Sequence, residues 1–311
     1  MYRISLIGFG HIGKIHIQAL RELKKDCNFL GFYDIKNYRT NTNRYNSLIE
    51  LLADKPDIVV ICTPSYTHVS LAKKCAMKGI KNIVIEKPIS FNIKEINELD
   101  RVMKTNKVNF FPVNQLRMKE NFQKLYKLII NKKLGKPFFV NINSFLNRNK
   151  KYFKNSEWKG IKKYDGGVLY NQFYHQIDLI CWLFGKPDII RTKMIAAKNK
   201  IKDTGSAFFY YSKKKIIINF NYTICVYDKN LEQSMTVFFK NGTVKLSENY
   251  NNFEVINNKL KKFVNNKQNN NFKLFYKDVF KKIKKKSTNY YSENIRQIIN
   301  NTKIIKKLYS Q

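Results

Sequence analysis

No apolar run in this chain approaches the ~18 residues that a membrane-spanning helix needs, so a helical membrane protein is excluded. There is no C-x-x-C pair either: Cys27, Cys62, Cys75, Cys181 and Cys225 are odd in number and scattered. That pattern argues against a disulfide framework and a zinc site, and no bound metal is expected. The first expected strand begins at about Tyr2 and leaves no room for a signal or transit peptide. A protein of the reducing cytoplasm is therefore expected. No internal repeat is evident.

Acid is the scarcest charge. Asp and Glu number 22 against 59 Lys and Arg, a formal net charge of +37. Such an excess suits nucleic acid or an anionic surface. Yet the lysines run through the whole chain among abundant Asn and Ile, as in proteins from genomes rich in A and T. No helix-turn-helix, zinc finger or RNA-binding signature accompanies them. The denser runs, Lys213–Lys215 and Lys281–Lys286, fall at a turn and a helix end, where solvated charge is the ordinary explanation. No nucleic-acid partner is expected, although a positive protein draws in anionic substrates.

What is present is a globular chain of 311 residues with 43% hydrophobic content, long enough for two domains. Its first punctuation is Gly8-Phe9-Gly10-His11-Ile12-Gly13, after the apolar run Ile4, Leu6, Ile7 and before a predicted helix, Lys14 to Leu23. The first glycine permits the tight strand-to-helix turn. The second lets a pyrophosphate approach the backbone, and the third lets helix and strand pack closely. Unpaired N–H groups at the helix start then face the phosphates. A second apolar run, Phe29 to Tyr33, ends at Asp34, where an acid is expected to bond the adenosine ribose hydroxyls. A carboxylate there repels a 2′-phosphate, which favours NAD over NADP, although Arg39 lies close enough to accommodate one.

Alternating strands and helices continue. Ser47 with Glu50 resembles a capping box before Leu48, Leu51 and Leu52. Ile58 to Cys62 is a continuous apolar run of the kind parallel strands show when both faces are covered. A helix from Val69 to Met77 closes on Gly79. A strand from Asn82 to Ile85, a helix from Ile93 to Met103 and a strand from Lys107 to Val113 follow. This order specifies a doubly wound parallel sheet. Ligands bind such sheets beyond the carboxyl ends of the strands, so Gly8–Gly13, Thr63-Pro64-Ser65 and Glu86-Lys87-Pro88 are expected along one edge.

From about Lys119 the pattern changes to strand-like runs, Phe138 to Phe145, Ala207 to Tyr211, Lys215 to Ile224, Gln233 to Phe239 and Thr243 to Leu246, with Asn241-Gly242 marking a hairpin between the last two. The expected organisation is α/β: an NAD-binding Rossmann domain over residues 1–118, then an α+β domain over 119–311 with an open, mostly antiparallel sheet. Two helices, Phe272 to Lys284 and Glu293 to Leu308, end the chain.

Two segments carry candidate chemistry. Glu86-Lys87-Pro88 puts an ammonium where the nicotinamide is expected; the proline restricts the lysine to an extended conformation. Such a lysine stabilises charge developing on a substrate oxygen. By itself it reads rather as one surface lysine among many. The second segment is Asp165 to Asp178. If it is one helix, Asn171, His175 and Asp178 share a face at i, i+4 and i+7, with Phe173, Ile177, Ile180 and Cys181 packing opposite. An amide, an imidazole and a carboxylate in one row suit removal of a hydroxyl proton. A buried structural histidine is the competing reading.

Taken together, Gly8-Phe9-Gly10-His11-Ile12-Gly13 with His16, Cys62-Thr63-Pro64 with His68, Glu86-Lys87-Pro88, and Gly166-Gly167 with His175 and Asp178 resemble the Gfo/Idh/MocA oxidoreductases. The resemblance implies hydride transfer between a sugar or polyol carbon and NAD, with Thr63, Pro64, His68, Glu86 and Lys87 along the cofactor. It also implies an open sheet used to form a homodimer or homotetramer. Asn114-Gln115-Leu116-Arg117, the segment from Arg148 to Tyr152, Glu157-Trp158-Lys159-Gly160 and Asn171 resemble the branch that oxidises C3 of UDP-N-acetylglucosamine or its uronate. In that branch the catalytic pair corresponds to Lys87 and His175, with no distinction here as to which takes the proton. Asn171 stands where aspartate is common elsewhere in the family. Phe173 replaces a usual glycine, and its ring either narrows the pocket or tightens helix packing. Arg117, Arg148 and Lys159 are then expected to grip an anionic diphosphate or carboxylate. Gln115, Asn171, His175 and Asp178 are expected to position the sugar. Rival readings are a polyol or free-sugar dehydrogenase of the same family, and an NAD-binding sensor without catalysis.

Overall fold

The computed structural model describes residues 1–154, 156–199, 201–257, 260–265, 270–285 and 289–311. The chain forms two compact units: Met1–Gln115 with Asn270–Thr302, and Leu116–Asn269 with Lys303–Gln311.

The first unit is built on a five-stranded, all-parallel sheet. Its strands are β1 (Tyr2–Ile7), β2 (Cys27–Tyr33), β3 (Ile58–Ile61), β4 (Asn82–Ile85) and β5 (Asn109–Pro112), in the order β2-β1-β3-β4-β5. Between them run α1 (His11–Arg21), α2 (Leu48–Ala53), α3 (His68–Met77) and α4 (Ile93–Thr105). All four residues of β3 and all four of β4 are buried, so the sheet is covered on both faces. The strand order reverses beside β1, where the crevice of a doubly wound sheet opens. At α2, the Ser47 hydroxyl accepts from the Glu50 N–H, while the Glu50 carboxylate accepts from the N–H of Asn46, one residue earlier than in the usual capping box.

The second unit opens with α5 (Glu120–Ile130) and carries an eight-stranded sheet. It contains β6 (Pro137–Phe145), then the short helices α6 (Lys150–Lys154), α7 (Lys162–Asp165) and α8 (Val168–Asn171), then α9 (Tyr174–Phe184). Next come β7 (Ile189–Ile195), β8 (Thr204–Tyr211), β9 (Ile216–Thr223), β10 (Glu232–Phe239), β11 (Gly242–Ser247), β12 (Asn252–Asn257) and β13 (Leu260–Asn265). The order is β13-β12-β11-β10-β6-β9-β8-β7; only β6 and β9 pair in parallel. Strict alternation sorts β9: Ile216, Ile218, Phe220 and Tyr222 are buried, and the residues between them are half-buried.

Two helices finish the chain, α10 (Asn271–Lys284) and α11 (Asn289–Tyr309). The sequence reading put both in the second domain. In the structure α10 packs on α1, and Ile295 and Ile298 of α11 join the core formed by β3, β4, α3 and α4. The last turns of α11, from Lys303, belong to the second unit.

Candidate functional site

In the first unit the glycine turn has the shape a pyrophosphate needs. Gly8 lies at φ +99°, and a Cβ there would sit 2.8 Å from the backbone carbonyl of Cys62. A Cβ on Gly13 would fall 2.1 Å from the carbonyl oxygen of Gly8, so only glycine lets α1 pack this closely on the turn. Gly10 differs: a Cβ there would meet nothing within 4 Å. No side chain caps α1, which leaves the N–H groups at His11, Ile12 and Gly13 for an anion. Phe9 is buried with its ring 3.9 Å from that of Phe32, and its N–H donates to Asp34 Oδ2 at 2.6 Å. Asp34 Oδ1 accepts from the N–H of Lys36 at 2.8 Å. The half-buried carboxylate is thus fixed between the glycine turn and its own loop, while Arg39 is exposed.

The turns after β3 and β4 are tied together by His68. This ring, buried at the start of α3, lies 2.8 Å from the Thr63 carbonyl through Nε2 and 2.9 Å from the Pro88 carbonyl through Nδ1. His68 therefore acts on backbone that frames the turn, next to Thr63 and Pro64. A neutral imidazole has one N–H and donates to one carbonyl at a time. Burial holds the imidazole below its ordinary value of 6.5, outweighing the two carbonyls and Glu86, which pull upward; Lys87 adds to the lowering. The unfolded chain then takes the proton first as pH falls. Stability is full above the unfolded value near 6.5 and declines below it. Urea midpoints at about pH 7.5 and about pH 5.5 are expected to differ less in His68→Gln than in the parent protein.

Glu86 turns inward. It is 5% exposed, with Oε1 3.0 Å from His16 Nε2 and Oε2 accepting from the Lys87 N–H at 3.1 Å. The resemblance sets Glu86 along the cofactor; in the structure its carboxylate is buried and both oxygens are engaged within the protein, whereas Asp34 stays half-buried. Lys87 is half-buried, and its bond to Pro88 is cis. Gln115 is the last residue of the first unit before the chain leaves it.

In the second unit the expected single helix across Asn171 and His175 is two. α8 ends at Asn171, and α9 starts at Tyr174 after Phe173 at φ −113°, ψ 10°. Asn171 therefore leaves the row, and His175 and Asp178 remain on the first turns of α9. Phe173 lies at the break, fully buried with its ring 5.0 Å from Tyr222 and 6.0 Å from Phe220. Of its two expected roles, the ring performs packing. Asp178 takes a bidentate grip from Arg117, whose Nε lies 2.7 Å from Oδ2 while Nη2 donates to Oδ1. The guanidinium also lies 5.9 Å from the Trp182 ring, which stacks on Tyr126.

Arg148, Lys159 and Asn171 gather around two residues to which sequence reasoning gives no role, Tyr152 and Gln172. Lys159 Nζ is 4.4 Å and the Arg148 guanidinium 5.2 Å from the centre of the Tyr152 ring. Gln172 accepts from Arg148 Nε at 2.6 Å and donates to Tyr152 Oη at 2.7 Å and to Asn171 Oδ1 at 3.0 Å. Asn171 in turn donates to Asp165, which accepts from the Gly167 N–H at 2.7 Å. Desolvation pushes both cations downward in pKa, and Arg148 lowers Lys159 further. The signal that could have found Tyr152 is an aromatic ring between basic residues in the stretch 148–159.

Among the described residues no group of three or more His, Cys, Asp and Glu could hold a metal ion. No described helix is long and apolar enough to cross a membrane.

Residues 2–114 match the oxidoreductase family with an NAD-binding Rossmann fold, and residues 126–308 match its C-terminal alpha/beta domain. The chain belongs to the Gfo/Idh/MocA family. Its first unit is thus an NAD-binding Rossmann domain, and the glycine cradle fits that group. A myo-inositol 2-dehydrogenase of Thermotoga maritima is 30% identical over 151 residues, which are 46% of this chain and 45% of that protein. The match thus spans under half the length of that curated relative. The WlbA dehydrogenase of Bordetella pertussis, solved with NADH and UDP-GlcNAcA, has a TM-score of 0.86 at 24% identity, over 99% of this chain and 94% of that one. The UDP-N-acetylglucosamine 3-dehydrogenase GnnA of Acidithiobacillus ferrooxidans gives a TM-score of 0.81 at 18% identity, over 99% and 96%. Likeness at these identities establishes the fold.

Proposed function

We propose that this Gfo/Idh/MocA protein is an NAD-dependent dehydrogenase that oxidises C3 of a UDP-N-acetylhexosamine or its uronate, in the supply of glycan precursors. The observation that carries the reading is the cluster at Tyr152. Two desolvated cations, Arg148 and Lys159, share one ring, and Arg148 depresses Lys159 further. An arrangement of that kind is stabilised by an anion, such as a diphosphate or a uronate carboxylate. Asn171, joined to the cluster through Gln172, suits a sugar hydroxyl. The presence of WlbA and GnnA among structures of the same fold supports the same substrate class.

When bound, NAD supplies the hydride acceptor. Asp34 would hold the adenosine ribose and disfavour a 2′-phosphate, and the N–H groups at the start of α1 would take the pyrophosphate. Either Lys87 donates to the reacting oxygen while His175 takes the hydroxyl proton, or a neutral Lys87 takes that proton while His175 donates. Arg117 holds Asp178 within α9, the helix that carries His175. The test is direct: purified protein is mixed with NAD and UDP-N-acetylglucosamine or its uronate, and NADH formation is followed at its absorbance. NADH formation from myo-inositol or glucose, with none from UDP-sugars, overturns the substrate assignment. That second reading is favoured by the Thermotoga relative.

A homodimer or homotetramer fits the eight-stranded sheet. Its face carrying Phe139, Ile217, Phe208 and Phe238 is only half-buried, and a second copy would cover it. Light scattering decides between monomer and oligomer. The unpaired cysteines suit a reducing, cytoplasmic setting.

A further inference from the structure

The first unit holds a line of three polar side chains that the proposed chemistry does not use. Tyr276 of α10 is fully buried, with Oη 2.6 Å from His16 Nδ1. His16 of α1 is also fully buried, and its Nε2 lies 3.0 Å from Glu86 Oε1. Glu86 closes the line by accepting the N–H of Lys87 through its other oxygen. Sequence separations of 260 and 70 residues are spanned by two side-chain contacts.

One arrangement of protons satisfies the whole line: a carboxylate accepts, so a neutral imidazole presents Nε2–H to Glu86. Nδ1 is then an acceptor, and the phenol O–H of Tyr276 fills it. Each link has one proton and one lone pair, and no member is left over. The ring is also fixed in orientation: Phe272 and Tyr276, both on α10, meet it edge-on at 4.7 and 5.7 Å. Burying three polar groups costs more than packing apolar side chains of the same size. A fully satisfied network returns that cost as a single, rigid geometry. The element held rigid is the turn that carries Lys87. The far side of the same turn is held by His68 at the Pro88 carbonyl.

We propose that Glu86, His16 and Tyr276 are positioning residues that set the Lys87 amine, and that Glu86 acts through the turn rather than on the cofactor ribose. The inference rests on the reading of Lys87 as the amine at the reacting oxygen. Removing the Tyr276 hydroxyl leaves the buried Nδ1 without its partner and loosens the hold on the ring. Replacing Glu86 by glutamine puts an amide donor against one of the two donors it now accepts from. Both changes act on the turn, and neither replaces a residue of the pyrophosphate cradle.

The test pairs binding with turnover in Tyr276→Phe and Glu86→Gln. NADH affinity, read by fluorescence, is expected to stay within about twofold of the parent protein. Turnover at saturating NAD and sugar is expected to fall about 10- to 100-fold, the range that a small misplacement of a reacting group commands. Glu86→Asp, which keeps the charge but shortens the reach, is expected not to restore it. Unchanged turnover in Tyr276→Phe overturns the proposal. So does a Glu86→Gln protein with NADH affinity weakened tenfold and normal turnover at saturation, the signature of a ribose ligand. If the parent protein oxidises no sugar, the substrate reading fails on its own. The positioning claim is then read from the acylation rate of Lys87 by mass spectrometry: a change of fivefold or more in both variants, with exposed lysines as internal controls, supports it, and no change overturns it.

Discussion

Lys87→Met is expected to lower turnover of the UDP-sugar by about 10³-fold while NADH binding persists, because a positioned acid or base contributes roughly 10²–10⁴-fold to proton transfer. Methionine keeps most of the aliphatic stem and removes only the ammonium. The backbone N–H that Glu86 accepts remains, so the turn retains its internal bond. A loss confined to turnover, with substrate and NADH affinities near those of the parent, identifies an interaction made as charge develops on the oxygen. Steady-state kinetics at saturating NAD, with NADH titration beside it, makes the measurement. A variant retaining more than about a tenth of the parent turnover would remove the amine from the proposed chemistry.

The parts of this molecule that were legible in the sequence are those whose causes are local. The glycine cradle announces itself because Gly8 and Gly13 have no room for a Cβ, and that constraint is written in six consecutive residues. Strands β3 and β4 are read from unbroken apolar runs, since both faces of a parallel sheet are covered. At the other extreme, β7, β12 and β13 escape notice. β7 and β13 are the two edges of the eight-stranded sheet, and β12 neighbours one of them. Edge strands bury few side chains, and in β7 only Ile190 and Met194 are buried among Arg, Thr and Lys. A composition rich in Lys and Asn dilutes what alternation they have.

The candidate site was legible as a set of residues and not as a set of contacts. Helical spacing aligned Asn171 with His175, but spacing assumes an unbroken helix, and the chain breaks at Phe173, which packs on Phe220 and Tyr222. Asn171 instead joins Gln172, Tyr152 and Arg148, a group assembled from α8, α6 and the end of β6 that no periodicity predicts. Glu86 illustrates the same limit. Its place after β4 put it on the cofactor edge, whereas the partner that draws it inward, His16, is held by a tyrosine 260 residues away from that histidine. Non-local partners decide where a carboxylate points.

The pairing of Arg117 with Asp178 offers the largest effect on stability. The Asp178 side chain is 3% exposed and that of Arg117 11%, with two hydrogen bonds between them. Removing one member of a buried pair costs about 3–5 kcal/mol, because the remaining charge keeps its desolvation penalty without its partner. Asp178→Ala is therefore expected to destabilise the protein by roughly that amount. Arg117→Met is expected to cost a similar amount, retaining the aliphatic stem beside Trp182 and leaving the carboxylate buried. The double variant is expected to cost clearly less than the sum of the two, since neither charge is then stranded. Urea unfolding of the four proteins supplies the cycle. Additive losses would show that each side chain is held by other groups, and the grip would then contribute nothing of its own. The same four proteins also separate a structural role from a substrate contact. If Arg117 serves the fold by holding Asp178 on the helix of His175, the Arg117→Met protein that remains folded at low temperature binds the UDP moiety with near-parent affinity. A guanidinium that also gripped the diphosphate would lose that affinity in both the single and the double variant.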